Sequence, residues 1–218
     1  MEEIISTLGP FIFIQREGVE RVTEDPVLLT EFLLPLKKAD RVLDLGTGTG
    51  VIPLILCSKT DVETITGVEL DIHTAAAARR NVDINGLGAR VKILQSDWRR
   101  LKEIYPRGAF PVVVSNPPYM KKGEGRVSRI RQRAIARCDI EGTLKDLVDV
   151  SEYLAGDRGR IFYIYPVRRL KELISELVGK GLTPRRLAYV YTGRPYSKLS
   201  LVEAGKDGGL SEGFIRRL

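Results

Sequence analysis

Short apolar runs alternate with longer amphipathic stretches along most of the chain. Runs rich in Val, Ile and Leu between turn residues predict buried strands, and apolar positions three or four apart predict helices. Strands are predicted over 41–45, 64–69, 91–94, 112–115, 160–165, 187–191 and 199–204. Helices are predicted over 51–58, 72–85, 144–154 and 170–178. The last two strands have no helix between them, so the final strand should run antiparallel to the others.

Strands separated by helices indicate an α/β fold with a doubly wound, mostly parallel sheet. The length of 218 residues suits a single domain. We expect one domain over residues 1–218, with a core at 41–205 and an N-terminal segment at 1–40. In that segment Asp25 followed by Pro26 predicts a helix start with Asp25 as the N-cap.

The composition narrows the class of partner and of chemistry. A net charge of +7 and a pI near 9.5 suit an anionic partner such as nucleic acid. The only histidine is His73, and Cys57 and Cys138 lack metal-ligand spacing, so we expect no metal site. The acidic start and the absence of an apolar run near the ~20 residues that span a bilayer lead us to expect a cytoplasmic protein.

A glycine-rich turn, Asp44–Gly50, follows the first predicted core strand and opens a helix. Glycines let the backbone turn sharply and let a ligand approach without a Cβ in the way. In an α/β sheet this first strand–helix crevice is where a nucleotide-like ligand binds. The spacing is Gly-x-Gly-x-Gly, which differs from the dinucleotide fingerprint and from a P-loop. At this point an ordinary glycine-rich turn is the alternative.

Acidic residues also follow the next two predicted strands. Glu69 lies about 20 residues past the glycines, where an acid can accept hydrogen bonds from both ribose hydroxyls. Asp97 can accept from an adenine amino group, and Trp98 can flank the ring. For Asp97 alone, a helix cap or a turn is the alternative. With Asp44, three acids lie at three successive strand ends, which favours a nucleoside-like ligand.

Together these residues resemble the class I S-adenosylmethionine-dependent methyltransferases, over about Val42 to Ala204. In that family the glycine-rich loop lies under the methionine part, the acid after strand two holds the ribose, and the acid after strand three reads the adenine. The resemblance implies S-adenosylmethionine as cofactor and a Rossmann-like, seven-stranded sheet with an antiparallel last strand. The predicted cofactor site consists of Asp25, Asp44, Gly46, Thr47, Gly48, Gly50, Glu69, Leu70, Asp97, Trp98 and Asn116.

The predicted catalytic residues are Asn116, Pro117, Pro118 and Tyr119, directly after the fourth core strand. The prolines fix φ and hold the backbone extended. A planar amino group is a poor nucleophile. The Asn116 side-chain oxygen and the Pro117 carbonyl can accept hydrogen bonds from its two N–H groups and so aim its lone pair at the methyl group. Tyr119 can stack on a base, which contributes about 1–3 kcal/mol. A plain turn is the alternative.

This motif looks like that of the amino methyltransferases, which act on adenine N6, guanine N2 or glutamine N5. Several segments are similar to bacterial tRNA adenine-N6 methyltransferases that act beside the anticodon of a valine tRNA. They are Thr23–Leu29, Asp44–Leu56, Gly67–Glu69, Asn116–Tyr119 and Leu199–Ala204. In that family an Asp followed by a small residue and aliphatics packs over the cofactor, which implies that role for Asp25. The usual Phe-x-Phe-Ser before this Asp is absent, because Val19–Thr23 stands there.

The segment that follows the motif is strongly basic, and Glu124 is its only acid. Lys and Arg contacts to phosphates supply most non-specific nucleic-acid affinity. RNA contacts are predicted for Lys121, Lys122, Arg126, Arg129, Arg131, Arg133 and Arg137. The alternative is a solvated charged loop.

Three other functions fit the same core. Glutamine-N5 methylation of a translation release factor uses the same motif, but those enzymes carry a helical domain in front, and only residues 1–40 precede this core. Ribosomal-RNA guanine-N2 enzymes often end the motif in Phe and duplicate the domain. A non-catalytic RNA-binding protein is the third. We expect an enzyme that methylates the exocyclic N6 amine of an adenine in RNA, with tRNA as the preferred substrate.

Overall fold

The computed structural model describes residues 3–16, 23–117, 142–191, 198–208 and 211–216. The strands are β1 Glu3–Leu8, β2 Phe11–Arg16, β3 Arg41–Leu45, β4 Thr64–Glu69, β5 Val91–Gln95, β6 Val112–Ser115, β7 Arg160–Pro166, β8 Thr183–Tyr191, β9 Leu199–Gly205 and β10 Ser211–Arg216. The helices are α1 Asp25–Leu33, α2 Val51–Lys59, α3 Ile72–Ile84, α4 Leu101–Ile104, α5 Leu144–Ala155 and α6 Leu170–Gly179.

The main sheet contains eight of these strands, in the order β10-β8-β9-β7-β6-β3-β4-β5. Within this sheet β9 runs antiparallel to both of its neighbours, and the other pairings are parallel. The predicted doubly wound, mostly parallel sheet with a reversed strand at 199–204 is confirmed. The structure adds an eighth strand, β10, which pairs with β8 and lies beyond the predicted core boundary at 205.

Helices cover both faces of the sheet because successive strand residues point to opposite sides. Along β7, Phe162 and Ile164 pack against the face covered by α1, α2 and α3. Ile161 and Tyr163 pack on the other face, with α4, α5 and α6. These two layers form two apolar cores that hold the strands, and therefore their carboxyl ends, in fixed register.

A hairpin precedes α1 and was not predicted. β1 and β2 pair antiparallel, with Leu8 opposite Phe11, around a two-residue turn of Gly9 and Pro10. Gly9 has φ +59°, a left-handed conformation that glycine adopts without a Cβ penalty. Among the described strands, neither strand of the hairpin pairs with the main sheet. It is held instead by side chains from α3, which explains why strand periodicity alone did not reveal it.

Helix α1 begins at Asp25, one residue earlier than predicted. Glu24 occupies the N-cap position and makes no side-chain cap bond, so the prediction of Asp25 as the cap was wrong. Pro26 lies in the first turn as expected, because its missing N–H would be unpaired there in any case. The Asp25 carboxylate lies in the first turn, where it interacts favourably with the helix dipole.

The C-terminal end of α1 is tied to the sheet through a buried acid. Arg186 donates to the Phe32 carbonyl at 2.7 Å, and Arg160 donates to the Pro35 carbonyl at 3.1 Å. Both guanidinium groups pair with Glu203 on β9, whose side chain is 7% exposed. The N-terminal segment is thus anchored to β7, β8 and β9 by charge as well as by apolar packing.

Candidate active site

The predicted site residues that follow β3, β4, β5 and β6 lie at the carboxyl edge of the sheet, because these four strands all end there. Leu45 lies opposite Val68, and Val68 lies opposite Leu94. The Ser115 hydroxyl donates to the Leu45 carbonyl at 2.7 Å. This bond holds the end of β6 against the end of β3, so Asn116 follows directly beside the start of the glycine-rich loop.

The glycine-rich loop presents bare backbone to this edge. The amides of Gly46 and Thr47 both donate to the Val68 carbonyl, at 3.0 and 2.9 Å. Gly46 and Gly48 have φ +74° and +58°, and a Cβ built on either would meet nothing within 4 Å. Gly50, with φ +86°, is the N-cap residue of α2. The loop is therefore fixed by its own hydrogen bonds and leaves open space in which a ligand can approach the backbone.

Glu69 holds the loop in place from the end of β4. Its carboxylate accepts from the Gly48 amide at 3.0 Å and from the Asp71 amide at 2.9 Å, and the residue is 7% exposed. A carboxylate has about four lone-pair sites and can accept from several donors at once. The predicted ribose contact of Glu69 stays a prediction, and the structure gives this residue a loop-organising role that the sequence did not suggest.

Asp44 is a fully buried acid beneath the loop. Among the described residues, neither its two carboxylate oxygens nor the Thr47 hydroxyl has a hydrogen-bond partner. Burial raises the pKa of Asp44 to about 7; the nearby Thr47 hydroxyl opposes this rise and the charge of Glu69 adds to it. Gly67 makes room for the arrangement, because a Cβ there would lie 2.7 Å from Thr47 Oγ1. Buried polar atoms left in this way mark a place for water or a ligand.

Asp97 caps a short 3-10 turn in this structure. It accepts from the Arg99 amide at 3.0 Å and from Arg99 Nε at 2.9 Å to each oxygen, and this pairing holds the pKa of Asp97 below its usual range. An adenine contact would therefore require exchange with Arg99. Trp98 is 7% exposed and packs in the second core, while the Leu70 carbonyl accepts from Gln95. The cofactor roles of Asp97, Trp98 and Leu70 stay predictions.

The predicted catalytic residues are only partly described. Asn116 and Pro117 are half-buried directly after β6, and Asp25 is half-buried at the start of α1. Pro118 and Tyr119 lie outside the described residues. So do the seven basic residues predicted to contact RNA, namely Lys121, Lys122, Arg126, Arg129, Arg131, Arg133 and Arg137. Their roles stay predictions.

Sequence reasoning missed Ser115, Gly67 and Asn81, all of which shape this edge. Asn81 is fully buried on α3 and donates to the Thr49 carbonyl in the glycine-rich loop at 3.0 Å. It lies on the same helical stripe as the buried Ala78. A polar residue within an apolar stripe was the available signal, because such a residue needs a specific partner.

Comparison with known proteins places the chain in a family. The model of the methyltransferase small domain matches residues 21–145. The chain belongs to this family. It is 30% identical to the tRNA1(Val) (adenine(37)-N6)-methyltransferase of Glaesserella parasuis, over 83% of this chain and 80% of that protein. It is 27% identical to the protein of the same name from Haemophilus influenzae strain PittEE, over 96% and 94% of the two chains.

The solved structures agree on the fold. A predicted O-methyltransferase from Agrobacterium tumefaciens superposes with a TM-score of 0.66 at 22% identity, over 89% of this chain and 86% of that chain. The chain is therefore an S-adenosylmethionine-dependent methyltransferase of the small-domain family. This confirms the class I fold and the cofactor that the sequence predicted.

No group of three or more His, Cys, Asp or Glu side chains within the described residues is arranged to hold a metal ion. None of the described helices is long and apolar enough to cross a membrane.

Proposed function

We propose that this methyltransferase acts on the exocyclic N6 amine of an adenine in RNA, and that the RNA is a tRNA. The observation that carries the proposal is the position of Asn116 and Pro117, directly after β6 and beside the glycine-rich loop. The names of the relatives described above support an adenine in tRNA. The net charge of +7 supports a polyanionic partner.

The residues at the sheet edge suit S-adenosylmethionine. The bare backbone of Gly46 and Gly48 offers space for the methionine part, since a side chain at either position would fill it. The Glu69 carboxylate is a suitable acceptor for ribose hydroxyls. Among the described residues the Asp44 carboxyl oxygens have no hydrogen-bond partner, and a ligand that carries an ammonium and a sulfonium group above them would favour the ionised form of this carboxyl. When bound, the cofactor supplies an electrophilic methyl group on its sulfur.

The chain's own contribution to the reaction is to position and polarise the amine. The Asn116 side-chain oxygen and the Pro117 carbonyl accept hydrogen bonds from its two N–H groups. These bonds withdraw the nitrogen lone pair from the ring and direct it at the methyl group. No strong base is required beforehand, because the nitrogen loses its proton after it has become cationic. The lone histidine, His73, is therefore no obstacle to this chemistry.

Two further parts of the chain complete the proposal. Residues 1–40 form the segment that covers the cofactor, with Asp25 at the start of α1 as its contact, and residues 41–205 form the catalytic core. The basic segment from Lys121 to Arg137 binds RNA phosphates. A base that is paired in a duplex is out of reach, so the target adenine is unstacked or flipped out when it reacts.

The test uses isotope-labelled S-adenosylmethionine and unmodified tRNA, with wild-type protein, Asn116→Ala and Asn116→Asp. We expect label in tRNA with the wild type and a loss of turnover of at least about 100-fold in Asn116→Ala. Calorimetry should show S-adenosylmethionine affinity within a few fold of wild type in that variant. Asn116→Asp retains an acceptor oxygen and should keep part of the activity.

Three outcomes would count against the proposal. Loss of cofactor binding in Asn116→Ala would mean that the residue supports the cofactor rather than the amine. Undiminished turnover would mean that another group accepts the N–H bonds. Absence of transfer to tRNA by the wild type, with cofactor binding intact, would move the substrate to another macromolecule.

A further inference from the structure

Asn81 makes a set of hydrogen bonds that joins two distant parts of the chain. Its Oδ1 accepts from the Ile14 amide at 2.8 Å, and its Nδ2 donates to the Ile14 carbonyl at 2.9 Å and to the Thr49 carbonyl at 3.0 Å. The side chain is completely buried. Both N–H groups of the amide are thus used, and no water is available to replace either partner.

The two partners belong to different functional parts of the protein. Thr49 stands between Gly48 and Gly50 in the glycine-rich loop, whereas Ile14 lies in β2 of the N-terminal hairpin. In the described part of the chain Asn81 is hydrogen-bonded to both, so a movement of the loop must be transmitted to the hairpin or must break a buried hydrogen bond.

Asn85, one helical turn later, provides a natural comparison. Its Oδ1 accepts from the Ile12 amide at 2.9 Å, and its Nδ2 donates to the Ile12 carbonyl at 2.7 Å. Asn85 and Asn81 therefore each bond to both the N–H and the carbonyl of one β2 residue, as a neighbouring strand would. Among the described residues, the hydrogen bonds of Asn85 do not reach the glycine-rich loop; its third hydrogen bond goes to the Asn81 carbonyl at 2.7 Å.

We propose that Asn81 is a positioning residue for the cofactor site, and that through it the hairpin β1–β2 supports the glycine-rich loop. The proposal rests on the role proposed above for that loop. Asn81 acts through the Thr49 carbonyl, which it holds so that the loop keeps the conformation that leaves open space at Gly46 and Gly48. Because binding energies are coupled reciprocally, cofactor bound at the loop also stabilises the attachment of the hairpin.

The first test compares Asn81→Ala with the matched variant Asn85→Ala. We expect Asn81→Ala to raise the Kd and the KM for S-adenosylmethionine at least about tenfold, as the loss of a buried hydrogen bond implies. Its kcat at saturating cofactor should stay within about threefold of wild type, since the catalytic residues are untouched. Asn85→Ala should keep the Kd within about twofold, although it also loosens the hairpin.

Each contrary result has a distinct meaning. Equal weakening by both variants would assign the effect to hairpin attachment alone and overturn the role of the Thr49 contact. An unchanged Kd in Asn81→Ala would overturn the proposal outright. If the wild-type protein itself failed to bind S-adenosylmethionine, the proposed function would fail instead, and the two failures are therefore distinguishable.

A second measurement uses the wild-type protein, in case Asn81→Ala does not fold. Hydrogen exchange of the Ile14 and Ile12 amides is followed with and without S-adenosylmethionine. Both amides donate to asparagine side chains, but only the Ile14 partner also holds the loop. We expect exchange at Ile14 to slow at least about fivefold more than at Ile12. Equal slowing, or none, would contradict the coupling.

Discussion

Glu69 offers the sharpest test of how the glycine-rich loop is held. Its two carboxylate oxygens accept from the Gly48 amide at 3.0 Å and the Asp71 amide at 2.9 Å. Replacement by Gln keeps the size of the side chain but leaves one acceptor oxygen, and the new NH₂ group faces the other backbone N–H. One of the two bonds is therefore lost, and the surviving bond no longer involves a charge.

The size of the effect follows from these contacts. A hydrogen bond to a charged group contributes about 1.5–3 kcal/mol, which corresponds to about 10- to 150-fold in a binding constant. In the free protein the Gly48 amide can donate to water instead, so part of the free energy of the lost hydrogen bond is recovered. With the cofactor bound, the loop must keep its conformation, so the full free energy of the lost hydrogen bond weakens cofactor binding. We expect Glu69→Gln to raise the Kd for S-adenosylmethionine at least about tenfold.

The assay is calorimetric titration of S-adenosylmethionine, with Glu63→Gln as the matched control. Glu63 precedes the same strand at its opposite end and pairs with Lys38, and both side chains are more than half exposed. An exposed ion pair contributes little, so the control should bind within about twofold of wild type. A Glu69→Gln protein that also binds within twofold would refute the reasoning, as would an equal loss in the control.

Three further substitutions test the electrostatics of the site and its supports. Burial raises the pKa of Asp44 from 3.8 to about 7, so the folded state binds a proton that the unfolded state has released. The contribution of Asp44 to the free energy of unfolding should therefore fall by up to about 4 kcal/mol between pH 4 and 7. Urea unfolding of Asp44→Asn should lack this component, and an unchanged dependence of the free energy of unfolding on pH would contradict it. Glu203→Gln should lower the free energy of unfolding by about 1.5–3 kcal/mol, because two partly exposed arginines lose a charged acceptor, and a loss below about 0.5 kcal/mol in urea titration would count against that anchor. Arg99→Ala should tighten S-adenosylmethionine binding a few fold in calorimetry by freeing Asp97, while Arg100→Ala stays at wild type; weaker binding in Arg99→Ala would show that the arginine supports the site.

The strands and helices of the core could be predicted because their periodicity reflects burial on one or two faces. β3, β4 and β6 have the predicted bounds, since each is a short apolar run closed by turn residues. Glu69 could be assigned to the site for a related reason. Parallel strands end at one edge, so an acid at a strand end lies beside the glycine-rich loop whatever the details of packing.

Features that depend on one side chain meeting a distant partner could not be predicted in this way. The hairpin β1–β2 is held by Asn81 and Asn85, about 70 positions away, and no local pattern encodes that pairing. β10 is a short strand without a strong apolar run, so the sequence pattern did not predict its pairing with β8. The pairing of Asp97 with Arg99, two residues along the chain, is set by local rotamer geometry that the sequence pattern did not specify, and its predicted adenine contact stays a prediction.

The most direct test of the central claim is the identity of the methylated residue. The protein is incubated with isotope-labelled S-adenosylmethionine and, separately, with unmodified tRNA, ribosomal RNA and a translation release factor, and the digested products are analysed by mass spectrometry. We predict label in N6-methyladenosine from tRNA, at a single nucleotide. Label in N2-methylguanosine or in methylglutamine would keep the fold and the cofactor but contradict the proposed substrate, and no label in any of the three would contradict catalysis on all of them.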